Sequence, residues 1–392
     1  MAKRLNKDQY IDSWGNVQNY SSWHYERQKQ IRRRLIMALS IFAFAVVLTV
    51  ALVLIFMKKG PDKPASAGVA EKNEVPAAAD TPVLEADTPP EENVAVVTPT
   101  PEATATPTPE PTPVISHPDM FYEGYTVFAD ENTEEITSEE ILSSYAVLVD
   151  LKDGHIVAQR NPMDKIYPAS MTKVMTVLVA AEHMEDPDAM VTMTREITDF
   201  VFLNDLSAVG YEVGEQVSVM ELFYGTILRS GGDAALALAE HIGGSEDAFV
   251  AMMNDKLKEL GFDEVAHFSN PVGHYEDDNY CTPVAMAMIM KAAMENDICR
   301  EVMCTKRYNT ASNEFHPDGI DISNLFLRRI EDLDTHGEVL AAKTGYVIQS
   351  RNCAVSYEES NDGNRYILVT SGAPGSWKAI YDHEKIYASY VN

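Results

Sequence analysis

Tyr167-Pro168-Ala169-Ser170-Met171-Thr172-Lys173 is the stretch on which the fold of this chain turns. From Ala169 to His183 the apolar residues recur at helical spacing with neither Gly nor Pro, which predicts a helix. Ser170 and Lys173 stand three apart and so share a helical face. A serine hydroxyl is a weak nucleophile and needs a neighbouring base. A lysine serves as that base only when neutral, so its pKa, ordinarily near 10.4, has to fall. Burial and a second cation both lower it. Alone, the S-x-x-K string is weak, because about one chance match is expected in a chain of this length. The ordinary meaning of such a string is a solvated helix face.

Two further strings follow in order, Ser230-Gly231-Gly232 and Lys343-Thr344-Gly345. Ser218-Val219-Met220-Glu221 is a capping box that opens a helix ending before Ser230. A second helix runs from near Asp233 to Gly243, and Ser245 caps a third that stops at Gly261. Thr282-Pro283 starts a fourth, through about Met294. Tyr145 to Asp150 reads as a strand, turned at Asp153-Gly154 into a return from His155 to Gln159. Val339 to Thr344, Cys353 to Tyr357 and Tyr366 to Thr370 read as strands, with Asn361-Asp362-Gly363 turning between the last two. A helix follows Gly375. Strands at both ends with helices between them make an α/β chain, of the α+β kind, with one sheet under a helical region.

In that order and context the strings resemble the penicillin-binding and serine β-lactamase superfamily. Tyr167-Pro168-Ala169, Asp233-Ala234-Ala235 and Asn270-Pro271-Val272-Gly273 look most like its D-alanyl-D-alanine carboxypeptidases. The resemblance covers about residues 140–392. It implies a β-lactamase/transpeptidase-like fold, an antiparallel sheet covered by a helical subdomain. It implies Ser170 as nucleophile, Lys173 as base and Ser230 as a hydroxyl passing a proton to the leaving amine. Lys343 and Thr344 would hold a substrate carboxylate, and Lys343 is the candidate second cation beside Lys173. Gly345 would let a substrate backbone approach the strand edge, and the N–H groups of Ser170 and Tyr346 would form an oxyanion hole. The Tyr346 ring would stack on substrate or pack on the sheet edge. Ser230 would also serve as an ordinary cap of the helix after it.

One departure concerns Gly232, where the family usually has an asparagine whose amide contacts substrate. Gly232 at positive φ would make a side chain there a strain. Another departure is that many such enzymes add a β-rich domain and a C-terminal anchor. The implied activity is removal of the terminal D-alanine from peptidoglycan stem peptides, with β-lactam antibiotics as covalent inhibitors. A β-lactamase is the alternative, although no E-x-x-L-N string lies between Ser230 and Lys343. A degenerate wall-binding domain is the non-enzymatic one.

Composition divides the rest. Leu35 to Met57 is 23 residues without a charge, long enough for a bilayer core of roughly 30 Å. Arg32, Arg33 and Arg34 precede it, and residues 1–34 carry eight Lys/Arg against three Asp/Glu. The positive-inside rule makes residues 1–34 a cytoplasmic tail and 35–57 a single-pass transmembrane anchor. A cleaved signal peptide is the competing possibility, given Ala65-Ser66-Ala67, but its apolar core runs only about 7–15 residues. Residues 58–117 form a Pro/Thr/Glu-rich linker; 12 of the 20 prolines and no aromatic residue fall within 60–116. Residues 118–392 are expected to form the extracytoplasmic catalytic domain, held to the membrane through the N-terminal helix.

Net charge is −29, and removing the +5 of the first 34 residues leaves −34, which argues against nucleic acid as a partner. Cys281, Cys299, Cys304 and Cys353 admit bridges or buried free thiols, with no zinc spacing. His267, His274 and His316 match no metal motif, so neither a metal nor a cofactor is expected. Asp233 would orient Ser230 or act as a first-turn helix acid. Trp14 and Trp23, in the tail, would bind a partner or lie at the membrane face.

Overall fold

Two hairpins, a long edge strand and a two-residue strand make the six-stranded central sheet. The computed structural model describes residues 125–391, together with two short strands, Gln9–Ile11 and Val17–Asn19, that pair antiparallel. The apolar stretch 35–57, the segment 58–117, Trp14 and Trp23 lie outside the described residues. No described helix is long and apolar enough to cross a membrane.

The sheet strands are β1 (Glu134–Glu135), β2 (Tyr145–Asp150), β3 (Ile156–Arg160), β8 (Gly337–Val347), β9 (Arg351–Ser360) and β10 (Arg365–Ala373). Their spatial order is β8-β9-β10-β2-β3-β1. Every pair is antiparallel except β1 with β3, which is parallel. Among the described residues β8 therefore lies at an edge, with one side bonded to β9 and the other free of any strand. The sequence marked β8 only from Val339 to Thr344, because glycine, disfavoured in strands, stands at 337 and again at 345.

Both faces of the sheet are covered, which is why its strands are apolar on both sides rather than alternating. On one face Val147, Val149, Val355, Ile367 and Val369 pack with the helical region. On the other, Ala146, Leu148, Ala342, Ala354 and Leu368 pack with Ile380, Ile386 and Tyr387 of α9 (Ser376–Tyr390). The helical face is led by α1 (Thr172–His183), buried from Thr172 to Ala180, and α6 (Pro283–Glu295), capped by Thr282 with Pro283 at its first position. Between them lie α3 (Val219–Leu228), α4 (Gly232–Gly243) and α5 (Glu246–Leu260). Ser218 and Glu221 form the full reciprocal capping box at the start of α3.

Several elements carry no periodic signal long enough to read. Two small hairpins, β4 (Met190–Thr192) with β5 (Gln216–Ser218) and β6 (Arg307–Asn309) with β7 (Asp321–Ser323), have three residues in each strand. α8 (Leu327–Ile330) is a single turn. α2 (Arg195–Leu203) and α7 (Asp297–Met303) did carry signals, an N-cap Thr194 and an N-cap Asn296.

Candidate active site

Ser170 sits in a 3₁₀ turn, Ala169–Met171, that feeds directly into α1. The helix read from Ala169 thus begins with a tighter turn. Ala169 lies at φ 48, in the left-handed region that side chains avoid. Strain next to a candidate nucleophile requires surroundings that over-determine it, and they are present. Gly273, at φ 73, lies so close that a Cβ on it would fall 1.8 Å from the Ala169 oxygen. A Cβ on Gly345 would fall 2.8 Å from the Pro168 oxygen and 3.0 Å from the Ala169 Cβ. The smallness of Gly345 therefore admits the Ser170 turn against the edge strand. Cys353 Sγ donates to the Pro168 oxygen across 3.4 Å from the neighbouring strand.

Lys173 is 2% exposed, and its Nζ reaches Ser170 Oγ at 3.1 Å and the Val272 carbonyl at 2.6 Å. Burial pulls its pKa down to about 7, with the Asp233 carboxylate pulling the other way. Lys343 is equally buried and donates to Ser230 Oγ at 2.8 Å and to the Thr344 carbonyl at 2.7 Å. Its pKa falls well below the ordinary value, first through burial and then through the charge of Lys173. Burial and a nearby second cation, both expected from the sequence, meet at this pair. Burial is the first cause at both amines, and the repulsion between them is mutual.

Ser230 meets Lys343, and it is not the helix cap. The N-cap of α4 is Gly231, with no side-chain bond, and Ser230 lies at φ 58 with its hydroxyl turned to the Lys343 amine. Asp233 does not orient Ser230 either. Its carboxylate accepts the N–H groups of Val209 and Gly210, each at 2.9 Å, and ties the 204–211 segment to α4. Gly232 has no positive φ, which removes the strain considered for it. Its N–H donates to the Ser207 carbonyl at 2.7 Å. A Cβ there would meet Val201 Cγ2 at 3.2 Å, the Ser207 oxygen at 3.3 Å and Leu206 Cβ at 3.4 Å. The same 204–211 segment therefore occupies the space beside Gly232.

Thr344 is half-buried and Tyr346 is exposed at the end of β8. Gly345, between them, is what brings this strand end against the Ser170 turn.

Residues 270–274 are the part of the site that sequence reasoning did not assign. Asn270 Oδ1 accepts from the N–H of Val272, Gly273 and His274 at 3.3, 2.8 and 3.0 Å, and its amide donates to the His274 carbonyl at 3.0 Å. The resulting turn aims the Val272 carbonyl at Lys173 and the Pro271 carbonyl at Thr176 Oγ1. An Asn-Pro pair with a Gly two residues on is a turn signal, and it was legible as such.

His267 bonds the Asp278 carbonyl through Nδ1, His274 faces the Phe200 ring, and His316 lies 3.3 Å from Glu215. None of the three touches Ser170 or either lysine. All four cysteines are free thiols, and no group of three or more His, Cys, Asp or Glu among the described residues is placed to hold a metal.

A family profile described as D-alanyl-D-alanine carboxypeptidase, peptidase family S11, matches residues 131–375. The chain belongs to the D-alanyl-D-alanine carboxypeptidase family. It is similar to the carboxypeptidase DacF of Bacillus subtilis, 29% identical over 244 residues, which are 62% of this chain and 60% of that protein. It is also similar to DacC of Escherichia coli, 32% identical over 183 residues, 45% of each chain. The chain thus spans about half to three-fifths of the length of these curated carboxypeptidases. The crystal structure of the Streptomyces K15 DD-transpeptidase superposes with a TM-score of 0.58 at 26% identity, covering 65% of this chain and 98% of that one. The carboxypeptidase-family domain here has the mixed α/β transpeptidase-like fold.

Proposed function

We propose that this chain is a serine D-Ala-D-Ala carboxypeptidase that removes the terminal D-alanine of peptidoglycan stem peptides through an ester on Ser170. One observation carries the proposal: a buried lysine amine 3.1 Å from the serine hydroxyl, with a pKa brought to about 7. About half of such amines are uncharged at neutral pH. The Val272 carbonyl takes one N–H of the neutral amine and leaves its lone pair for the Ser170 proton. Ser170 Oγ then bonds to the carbonyl carbon of the penultimate residue, and the carbonyl oxygen becomes an oxyanion facing the N–H groups of Ser170 and Tyr346. The proton passes by way of Lys173 and the Ser230 hydroxyl to the nitrogen of the terminal D-alanine. The C–N bond breaks, and the acyl group stays on Ser170. Water then attacks the ester, gives its proton to the same base and restores the serine.

Lys343 and Thr344 take the terminal carboxylate of the substrate. An arriving anion favours the charged form of Lys343, which burial and Lys173 oppose in the free site. The peptide lies along the open edge of β8 as an added strand. A β-lactam, with its carboxylate and strained amide, acylates the same serine. Transfer of the acyl group to an amine instead of water is the second outcome of this ester, and the likeness to a DD-transpeptidase favours it. Analysis of products with and without an added amine separates the two.

The same reading places residues 35–57 across the membrane, with residues 1–34 in the cytoplasm, 58–117 as a spacer and 118–392 outside. It is supported by the uncharged span and the arginines before it. Protease added to intact cells without an outer barrier is expected to cut between Pro61 and Pro113 and leave a membrane-bound N-terminal fragment. A mature chain starting near Gly68 and free in the medium would refute the anchor.

The chemistry is tested by mass spectrometry after labelled penicillin. The wild type is expected to gain one penicillin at Ser170, and Ser170→Ala none, with unchanged circular dichroism. Full labelling of the Ala variant would remove Ser170 from the mechanism.

A further inference from the structure

We infer that Asn270 is a positioning residue that holds the nucleophile and its base in register through one turn. The inference rests on the acyl-enzyme reading above. Asn270 is 3% exposed, and its Oδ1 gathers three consecutive backbone N–H groups, those of Val272, Gly273 and His274. That turn touches both halves of the chemistry. Through the Val272 carbonyl, 2.6 Å from Nζ, it orients Lys173 and shields its amine from water. Through Gly273 it presses on the Ala169 carbonyl, where no side chain fits, and so fixes the strained peptide that precedes Ser170. The Pro271 carbonyl is bonded to Thr176 one turn further along α1, at 2.7 Å, which keeps the turn flush with the helix. Asn270 itself touches neither reacting atom. Its effect on rate comes through the carbonyl of Val272 and the position of Gly273.

Without the Asn270 acceptor, the buried N–H groups of Val272 and Gly273 and the half-buried one of His274 lose their partner. The turn then opens to water, and Lys173 regains hydration. The other groups that act on the Lys173 charge are Asp233 from α4 and Lys343 from β8, and neither lies on this turn.

The test uses the full chain, with penicillin acylation rate constants measured from pH 5 to 10 beside the melting temperature. Asn270→Ala is expected to acylate roughly 100-fold more slowly than wild type, with the rising limb of its pH profile moved up by about one unit. Asn270→Asp keeps an oxygen acceptor for the three N–H groups and loses the amide's donations to the His274 carbonyl and to Ser269 Oγ. It is expected to stay within roughly tenfold of wild type. Wild-type acylation of Asn270→Ala would overturn the inference. So would a folded Asn270→Asp that falls as far as the Ala variant, or an Ala loss that merely tracks the unfolded fraction with an unmoved limb. If Asn270→Ala does not fold, the Asp variant alone decides. Failure of the wild type itself to acylate at Ser170 would instead remove the functional reading and leave the geometry of the turn untouched.

Discussion

On the helical face of the sheet, Lys173 and Lys343 are buried with hydroxyls and carbonyls around their amines. On the opposite face, under α9, His383, Asp382 and Glu358 are buried as deeply. His383 lies between Ser356 Oγ at 2.7 Å and Thr370 Oγ1 at 2.9 Å, and burial drives its pKa down to about 3. Asp382 accepts from the N–H and the hydroxyl of Ser143 and from the Leu142 N–H. Glu358 is buried with only the Thr335 hydroxyl to offset it, and burial pushes its pKa up to about 8. A strongly shifted pKa therefore occurs on both faces and does not by itself mark a site. What separates the helical face is geometry. A half-exposed serine stands within reach of the Lys173 amine, a left-handed alanine precedes it, and a strand edge unpaired among the described residues runs alongside.

The largest effect expected from that contrast is at the two buried bases. Lys173→Ala should slow penicillin acylation by about 10²–10⁴-fold, the range for losing a general base, with the fold retained. His383→Ala should leave acylation of the folded protein unchanged. It strands the Ser356 and Thr370 hydroxyls and opens a cavity, so it should cost about 3 kcal/mol in denaturant unfolding. A His383 variant that is stable and fails to acylate would erase the distinction between the faces.

Glu358 gives a smaller, pH-dependent effect. Its folded pKa is raised from 4.5 to about 8, so folding favours the protonated form. Stability carried by the neutral carboxyl is present at low pH and is lost as pH climbs through that window. Glu358→Gln should therefore be more stable than wild type by about 2–4 kcal/mol at pH 9 and level with it near pH 4. Equal pH dependence of the two melting curves would show that Glu358 ionises normally.

Gly232→Asn is the mildest change. The backbone there is unstrained, but the new Cβ crowds Val201, Leu206 and the Ser207 carbonyl at 3.2–3.4 Å. A cost of about 1–2 kcal/mol and less than a tenfold change in acylation are expected, read from the melting temperature and rate constant together. A large gain in rate without loss of stability would mean that the amide reaches substrate and that the 204–211 segment yields readily.

The helices of this domain were legible where caps and glycines punctuate them. Ser218 with Glu221, Ser245, Gly261 and Thr282 with Pro283 each stand at an observed terminus. Three-residue strands such as Met190–Thr192 were not, because two apolar positions define no period. Within the site, the residue types came from motif order, whereas their partners did not. Ser230 could be read as a cap because Ser beside Gly-Gly commonly is one, and only its left-handed backbone turns the hydroxyl to Lys343. The part played by Asn270 depends on a turn that approaches α1 from about 100 residues away in sequence, a distance over which no local pattern speaks.

The most direct test of Lys173 as a neutral base is the pH dependence of the acylation rate constant in wild type and Lys173→Ala. Below about pH 7 the ammonium has no lone pair, and above it the amine does. The wild-type rate should therefore rise along a limb centred near pH 7 and level off above it, and that limb should vanish in the variant. A limb near the ordinary lysine value of about 10, or one near 7 that persists in Lys173→Ala, would contradict the assignment of Lys173 as the base.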